Sequence, residues 1–174
     1  MSNAVPFETT SHVRDTCLCL HAQRAARALA RHFDETLRPV GLTNQQFSLL
    51  MALNRAEPPP MGPVAKLLAM DRTTLTAALK PLERRGLVLV EASPTDGRAR
   101  ILVLTTAGRE TLARAVTIWR ETHAAVEARL VGLDPDAVRT ALGLLVGVSR
   151  RQTGHGRSRP AVAGISRRQD RSRI

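Results

Sequence analysis

Residues 63–106 read PVAKLLAMDRTTLTAALKPLERRGLVLVEASPTDGRARILVLTT. The spacing predicts a short helix over AKLLAM, with Gly62 as its cap and Pro63 at the first helical position, where a missing N–H removes no bond. Asp71 then offers a carboxylate to the unbonded N–H groups of a second helix, at the positive end of its dipole. Along this second helix Leu75, Leu79, Leu82 and Gly86 recur at helical spacing and are expected to pack inward. Thr73, Thr76, Ala77, Lys80 and Arg84 fall on the opposite side, with Arg72 and Thr74 near the start. Pro81 lies inside the helix and removes the bond to the Ala77 carbonyl, so a bend is expected there, with breakage at Lys80 as the competing outcome.

Two aliphatic runs follow, Leu87 to Val90 and Ile101 to Leu104, of strand type and joined by the turn-forming Ser93-Pro94-Thr95-Asp96-Gly97. Period-two alternation puts Arg98 and Arg100 on one face of the returning strand. Helix, turn, helix and two-stranded ribbon, in that order, make a winged helix-turn-helix. The outer helix face is small, polar and basic, which suits the major groove: short hydroxyls allow close approach, and Arg72 and Lys80 reach phosphates or guanine edges. Arginines at a hairpin tip enter the minor groove or grip the backbone, with Asp96 holding one by a charge-assisted hydrogen bond. Double-stranded DNA is the expected partner. Taken alone the helix also fits an ordinary solvated surface, and the ribbon is what favours DNA.

The flanking sequence is expected to be helical, making the protein mainly α with a small β-hairpin wing and long N- and C-terminal dimerisation helices. Residues 11–38 form the first, with Cys17, Leu20, Leu29, Phe33 and Leu37 among its apolar positions. Thr43 and Gln46 are spaced as a capping box opening the next helix, whose expected buried face is Phe47, Leu50 and Met51. Later, Leu112, Val116, Trp119, His123, Val126, Leu130 and Leu133 step by four and three residues alternately, the seam of a helix packed along another. Gly132 is expected to stop that helix and Asp134-Pro135 to start another, with Val138, Ala141, Leu142, Leu145 and Val148 as a second stripe. A homodimer is the expectation, held by Leu112, Val116, Trp119, Val126, Leu130, Leu142 and Leu145; packing within one subunit is the alternative. The resulting organisation is an N-terminal dimerisation helix (11–38), a DNA-binding domain (43–106), C-terminal dimerisation helices (107–150) and a basic tail (151–174).

The run LLAMDRTTLTAALKPLERRGLV followed by DGRARILVLTTAG resembles the multiple antibiotic resistance regulator (MarR) family, and the order of helices agrees with that family from about residue 11 to residue 150. The resemblance implies a dimeric repressor or activator, released from DNA by an aromatic ligand or an oxidant. It also implies a pocket between the dimer helices and the winged module, for which Phe33, Phe47 and Met51 are candidates, although plain core is the expectation for them. Aligned on the GLT segment at Gly41 to Thr43, Cys19 falls close to the reactive cysteine of the family's organic-peroxide sensors. Those sensors support the thiolate with tyrosines, which this chain lacks; Phe33 stands near one such position, so buried, inert cysteines are the expectation and oxidant sensing by Cys19 the alternative. The sequence departs from the family at Pro58 to Pro63, where the usual Ser or Thr helix cap is replaced, and at Pro81.

Composition agrees without deciding. The 174 residues suffice for one domain whose core is filled by aliphatics, there being no tyrosine. Of the net charge of +11, residues 150–174 carry eight arginines against one aspartate, so most of the basic excess belongs to a tail rich in Gly, Ser and Arg that is expected to be disordered. It is either an inert extension or a source of nonspecific, salt-sensitive phosphate contacts. Nothing approaches a membrane span or a signal peptide, which places the protein in the cytoplasm. Cys17 and Cys19 make no disulfide framework. His21 and His32 share a face but lie too far apart along the helix for one ion, and His123 falls in the seam, so no metal is expected. There is no phosphate loop, no Cys-x-x-Cys and no nucleophile beside a recognisable base; neither an enzyme nor a cofactor is expected. Two functions remain, a ligand-responsive regulator on specific DNA and a winged-helix module docking protein or nonspecific nucleic acid.

Overall fold

The computed structural model describes residues 4–147, so Val148 and the basic segment 151–174 lie outside the described residues. Met1–Leu133 form one compact unit, and a second begins at Asp134. The N-terminal helix predicted over 11–38 is two helices, α1 (Phe7–Thr16) and α2 (Leu18–Leu37), separated at Cys17, whose backbone is extended. The Thr16 hydroxyl donates to the His12 carbonyl at 2.7 Å, and the Cys17 sulfur accepts from the Leu20 N–H at 3.5 Å. A thiol thus caps α2, a role that apolar periodicity alone does not reveal.

α2 closes through a 3-10 turn (Arg38–Val40) into Gly41, whose φ of +69° is left-handed. Thr43 then opens α3 (Asn44–Leu53) with both halves of the predicted capping box, Gln46 N–H to Thr43 Oγ1 at 3.2 Å and Thr43 N–H to Gln46 Oε1 at 3.1 Å. Of the face expected to be buried, Phe47 and Leu50 are, but Met51 is 44% exposed, on the far side of the helix from Leu49 and Leu53.

α4 (Met61–Leu67) starts two residues before Pro63, with Pro60 rather than Gly62 in the cap position. Pro63 remains in the first turn, where N–H groups have no helical partner in any case. The turn into α5 (Arg72–Arg84) puts Ala69 at φ +52° and closes with Met70 N–H on the Ala65 carbonyl at 2.9 Å. α5 runs unbroken through Pro81, so breakage at Lys80 does not occur. It ends in a Schellman motif, Leu87 N–H to Leu82 O at 3.0 Å and Gly86 N–H to Glu83 O at 2.9 Å, with Gly86 at φ +66°. Gly86 is therefore an exposed turn residue and not part of the inward stripe predicted for it.

The hairpin pairs β1 (Val88–Ala92) with β2 (Arg100–Leu104) antiparallel, Val88 opposite Leu104 and Ala92 opposite Arg100. The proline run covers the outer edge of β2: the Pro59 carbonyl accepts from Leu102 N–H at 3.0 Å, and Pro60 bridges Ile101. Prolines close an edge well, because they accept a ladder bond and offer no donor to a further strand.

Thr105 caps α6 (Thr106–Glu127) by accepting from Gly108 N–H, while its hydroxyl donates to the Gly86 carbonyl at 2.8 Å. α6 ends at Glu127, so Leu130 and Leu133 of the predicted seam lie beyond it, and Gly132 turns the chain at φ +77° instead of stopping the helix. The core joins Leu37, Leu49, Leu50, Val64, Leu75, Leu79, Leu82, Val88 and Leu102 to Leu112 and Ala115 of α6. Each fully buried leucine contributes about 1.5–3 kcal/mol. Leu112 is thus spent inside its own subunit, and Val116, Trp119 and Val126 pack partly against the same core, so this half of the predicted dimer seam seats α6 on its own subunit.

The second unit is α7 (Pro135–Val146), opened by Asp134, which accepts from the Asp136 and Ala137 N–H groups. It buries no residue; Leu142, Leu144, Leu145 and Val146 are all exposed. Among the described residues no helix is long and apolar enough to cross a membrane.

Candidate nucleic-acid interface

Burying Leu75, Leu79 and Leu82 rolls α5 so that Arg72, Thr73, Thr74, Thr76, Ala77, Lys80 and Arg84 are all exposed, as their positions in the sequence predict. Asp71 anchors the start of this face: its Oδ1 accepts from Thr74 N–H at 2.7 Å and its Oδ2 from the Thr74 hydroxyl at 2.7 Å. These two bonds, the N–H first, hold the Asp71 carboxyl below the usual carboxylate range. Thr76 donates its hydroxyl proton to the Arg72 carbonyl at 2.8 Å, which leaves its oxygen lone pairs facing outward.

The wing tip is braced by its own backbone, with Ser93 N–H on Ala99 O and Ala99 N–H on Asp96 O, both at 2.9 Å. Asp96 accepts from the main-chain N–H of Arg98 at 3.0 Å. It shapes the turn that carries the arginine, where the sequence reading expected it to hold a guanidinium. Arg98 and Arg100 then line, with Arg72 and Asp96, a recess of about 250 Å³ floored by Met61, Gly62 and Ala65 of α4. Three arginines against one carboxylate thus converge where the recognition helix begins and the wing returns. The chain positions of Arg72 and Arg98 give no sign of this meeting.

A second feature escaped the sequence reading. Thr43, Gln45 and Gln46 at the start of α3 face Thr73, Thr74, Ala77 and Pro81 across an open groove of about 560 Å³, so α3 flanks the recognition helix. The capping box at Thr43 was the available signal, since it aims the first turn of α3, but only the fold says toward what.

Above the reading head, between α3, α4 and α6, lies a largely apolar pocket of about 640 Å³ lined by Phe47, Met51, Leu67 and Trp119, with Arg55 and Arg120 at its polar side. Trp119 stacks on Phe47 at 6.1 Å between centroids, and the His123 ring lies against it, tilted by 32°, at 4.5 Å. Of the three residues named as pocket candidates, Phe47 and Met51 line this one. Phe33 does not: it is buried in the core, with its ring edge-on to His32. Cys17 is half-buried and Cys19 exposed, contrary to the buried pair expected, because Cys19 occupies the first turn of α2; Gln23 Nε2 lies 3.2 Å from its sulfur. No group of three or more metal-ligating side chains comes together among the described residues.

A profile of the MarR family matches residues 40–99. The putative transcriptional regulatory protein for the hcr operon of Thauera aromatica is 32% identical over 132 residues, 74% of this chain and 76% of that protein. The solved structure of the M. tuberculosis transcriptional regulator MosR in complex with DNA is 38% identical, with a TM-score of 0.69, covering 77% of this chain and 96% of that one. The chain belongs to the MarR family. A shorter match, 38% over 72 residues, spans 41% of the transcriptional activatory protein BadR of Rhodopseudomonas palustris. The repressor CouR, solved with a 23-mer DNA duplex, is 34% identical at a TM-score of 0.62, covering 80% of this chain and 96% of that one; it is also solved with p-coumaroyl-CoA. As a MarR-family winged-helix protein, the chain is a DNA-binding transcriptional regulator.

Proposed function

We propose that two copies of this chain act as a homodimeric repressor on an inverted repeat, with the α5 helices in successive major grooves about 34 Å apart. The observation that carries this reading is the convergence of Arg72, Arg98 and Arg100 on one recess while the threonine face of α5 stays open. Arg98 and Arg100 supply charge to the backbone or minor groove, and Arg72 and Lys80 reach phosphates or guanine edges. Thr76, its proton engaged by the Arg72 carbonyl, presents an acceptor, which suits the amino groups of cytosine or adenine. The pocket beside Trp119 is the place for an effector, an aromatic acid or its thioester, with Arg55 and Arg120 toward the acidic or phosphorylated part. CouR, a relative with such a ligand, supports this class. A ligand that prefers a subunit geometry with the wrong helix separation lowers DNA affinity by the reciprocal factor. The protein works where the chromosome is, in the cytoplasm, and carries out no catalysis.

A mobility-shift assay against the chain's own upstream region, at two salt concentrations and with a scrambled competitor, tests the central claim. Arg98→Ala should weaken binding to every sequence and reduce the salt slope by about one, whereas Arg72→Ala or Thr73→Ala should cost about 1–3 kcal/mol on one half-site sequence and change the preferred one. Equal losses on all sequences for all three variants would leave a nonspecific nucleic-acid or protein-docking module. For the effector, aromatic carboxylates and thioesters should quench Trp119, the chain's one tryptophan, and release the duplex; Arg120→Ala should weaken both effects.

A second reading, oxidant sensing, is favoured by the exposure of Cys19 beside the helix break at Cys17. It fails if Cys19→Ser binds and releases DNA under peroxide as the parent does.

A further inference from the structure

Arg85 caps the C-terminus of α5, and its Nη1 donates to the Gly41 carbonyl at 2.7 Å, a contact 44 residues away in the chain. Gly41 is the left-handed residue that ends the 3-10 turn closing α2. A Cβ at that position would stand 3.2 Å from Arg85 Nη2, so the guanidinium packs closely on a backbone whose left-handed φ already favours glycine. The tie therefore joins the trailing end of the recognition helix to the corner at the foot of α2. Its setting makes it consequential. Pro81 offers no N–H to Ala77, so the last turns of α5 are held less firmly by their own ladder and more by what grips the end. One grip is Thr105, donating to the Gly86 carbonyl at 2.8 Å. The other is Arg85. Among the described residues no carboxylate lies within ion-pair distance of Arg85, which leaves the Gly41 carbonyl as the partner that orients it.

We propose that Arg85 is a positioning residue: through Gly41 it sets the pitch of α5 against α2, and hence the half-site separation that the protein accepts. The proposal rests on the homodimeric reading above, in which two α5 helices must meet two half-sites at once. A guanidinium planted on a carbonyl is a directional contact, and loss of direction, more than loss of charge, is the expected consequence of removing it.

The test uses the full chain and duplexes selected by it from a random pool, together with versions whose half-site separation is changed by one base pair either way and a duplex with a single half-site. The unaltered chain should favour the selected separation by about tenfold or more. Arg85→Ala should bind the single half-site within about twofold of the parent, keep the same salt slope, and lose the spacing preference to less than about threefold. Arg85→Lys, which keeps a donor, should fall between. If Arg85→Ala discriminates spacing as the parent does, the proposal is overturned and the homodimeric reading stands. A uniform loss on all duplexes with a shallower salt slope makes Arg85 a phosphate contact and also overturns it. A parent chain indifferent to spacing removes the homodimeric reading and the proposal with it.

Discussion

Asp71 shows how one side chain connects pH to the reading head. Its carboxylate accepts the Thr74 N–H and hydroxyl, and both bonds stabilise the ionised form, so its folded-state pKa lies below the unfolded one. The sign follows from linkage: the stabilisation is fully present above the unfolded value of about 3.9 and is lost as pH falls through the lower, folded value. Acid denaturation followed by circular dichroism should show Asp71→Asn losing less stability between neutral pH and pH 3 than the parent, because an amide caps without titrating. Asp71→Ala should lower the midpoint of thermal unfolding at neutral pH and weaken DNA binding, since the Thr74 hydroxyl loses its anchor.

At the scale of the elements, two backbone positions are set by contacts that periodicity does not report. Ala69 holds the turn between α4 and α5 at φ +52°, a conformation that costs an L-residue about 1–2 kcal/mol and glycine much less. Ala69→Gly should accordingly stabilise the protein by up to about 1 kcal/mol in urea unfolding, the gain being cut by glycine's freedom in the unfolded chain. Gly108 does the opposite service. A Cβ there would overlap the Leu87 carbonyl oxygen and crowd Leu104, because the first turn of α6 presses directly on the start of the hairpin. Gly108→Ala should destabilise by about 1–3 kcal/mol or more, and since Leu87 leads into β1, wing geometry and DNA affinity should suffer together.

For the whole molecule, the arithmetic of exposed apolar surface matters most. Phe7 is 76% exposed and Leu144 74%, and Leu18, Leu142, Leu145 and Val146 are open as well, while the leucines from α3 to β2 are enclosed except the half-buried Leu68, Leu67 at the pocket beside Trp119, and Leu89 on the wing. On the proposed homodimeric reading, this apolar surface of the terminal helices is what the second copy covers. The double variant Leu142→Asp, Leu145→Asp should be monomeric by light scattering at micromolar concentration. It should also lose most of its affinity for a two-half-site duplex while the reading head keeps its fold by circular dichroism. A variant that stays dimeric would exclude α7 from the interface.

The residues that determine secondary structure were legible one at a time. Asp71, the Thr43–Gln46 pair, the leucine stripe of α5 and the turn around Asp96 act within a few residues of themselves, so caps, faces and hairpin could be read directly from their order. The break at Cys17 could not, because a sulfur cap carries little sequence signal, and neither could the early end of α6 at Glu127. The tertiary structure alone decided the rest. The leucine and tryptophan seam of α6 serves its own core because α2 and α3 lie alongside it, and Phe33 is sealed inside while Trp119 and Arg120 reach the pocket. Arg72 meets Arg98 because the wing folds back on α4. Each of these depends on contacts between segments far apart in the chain, and local periodicity states which face is apolar without stating what will cover it.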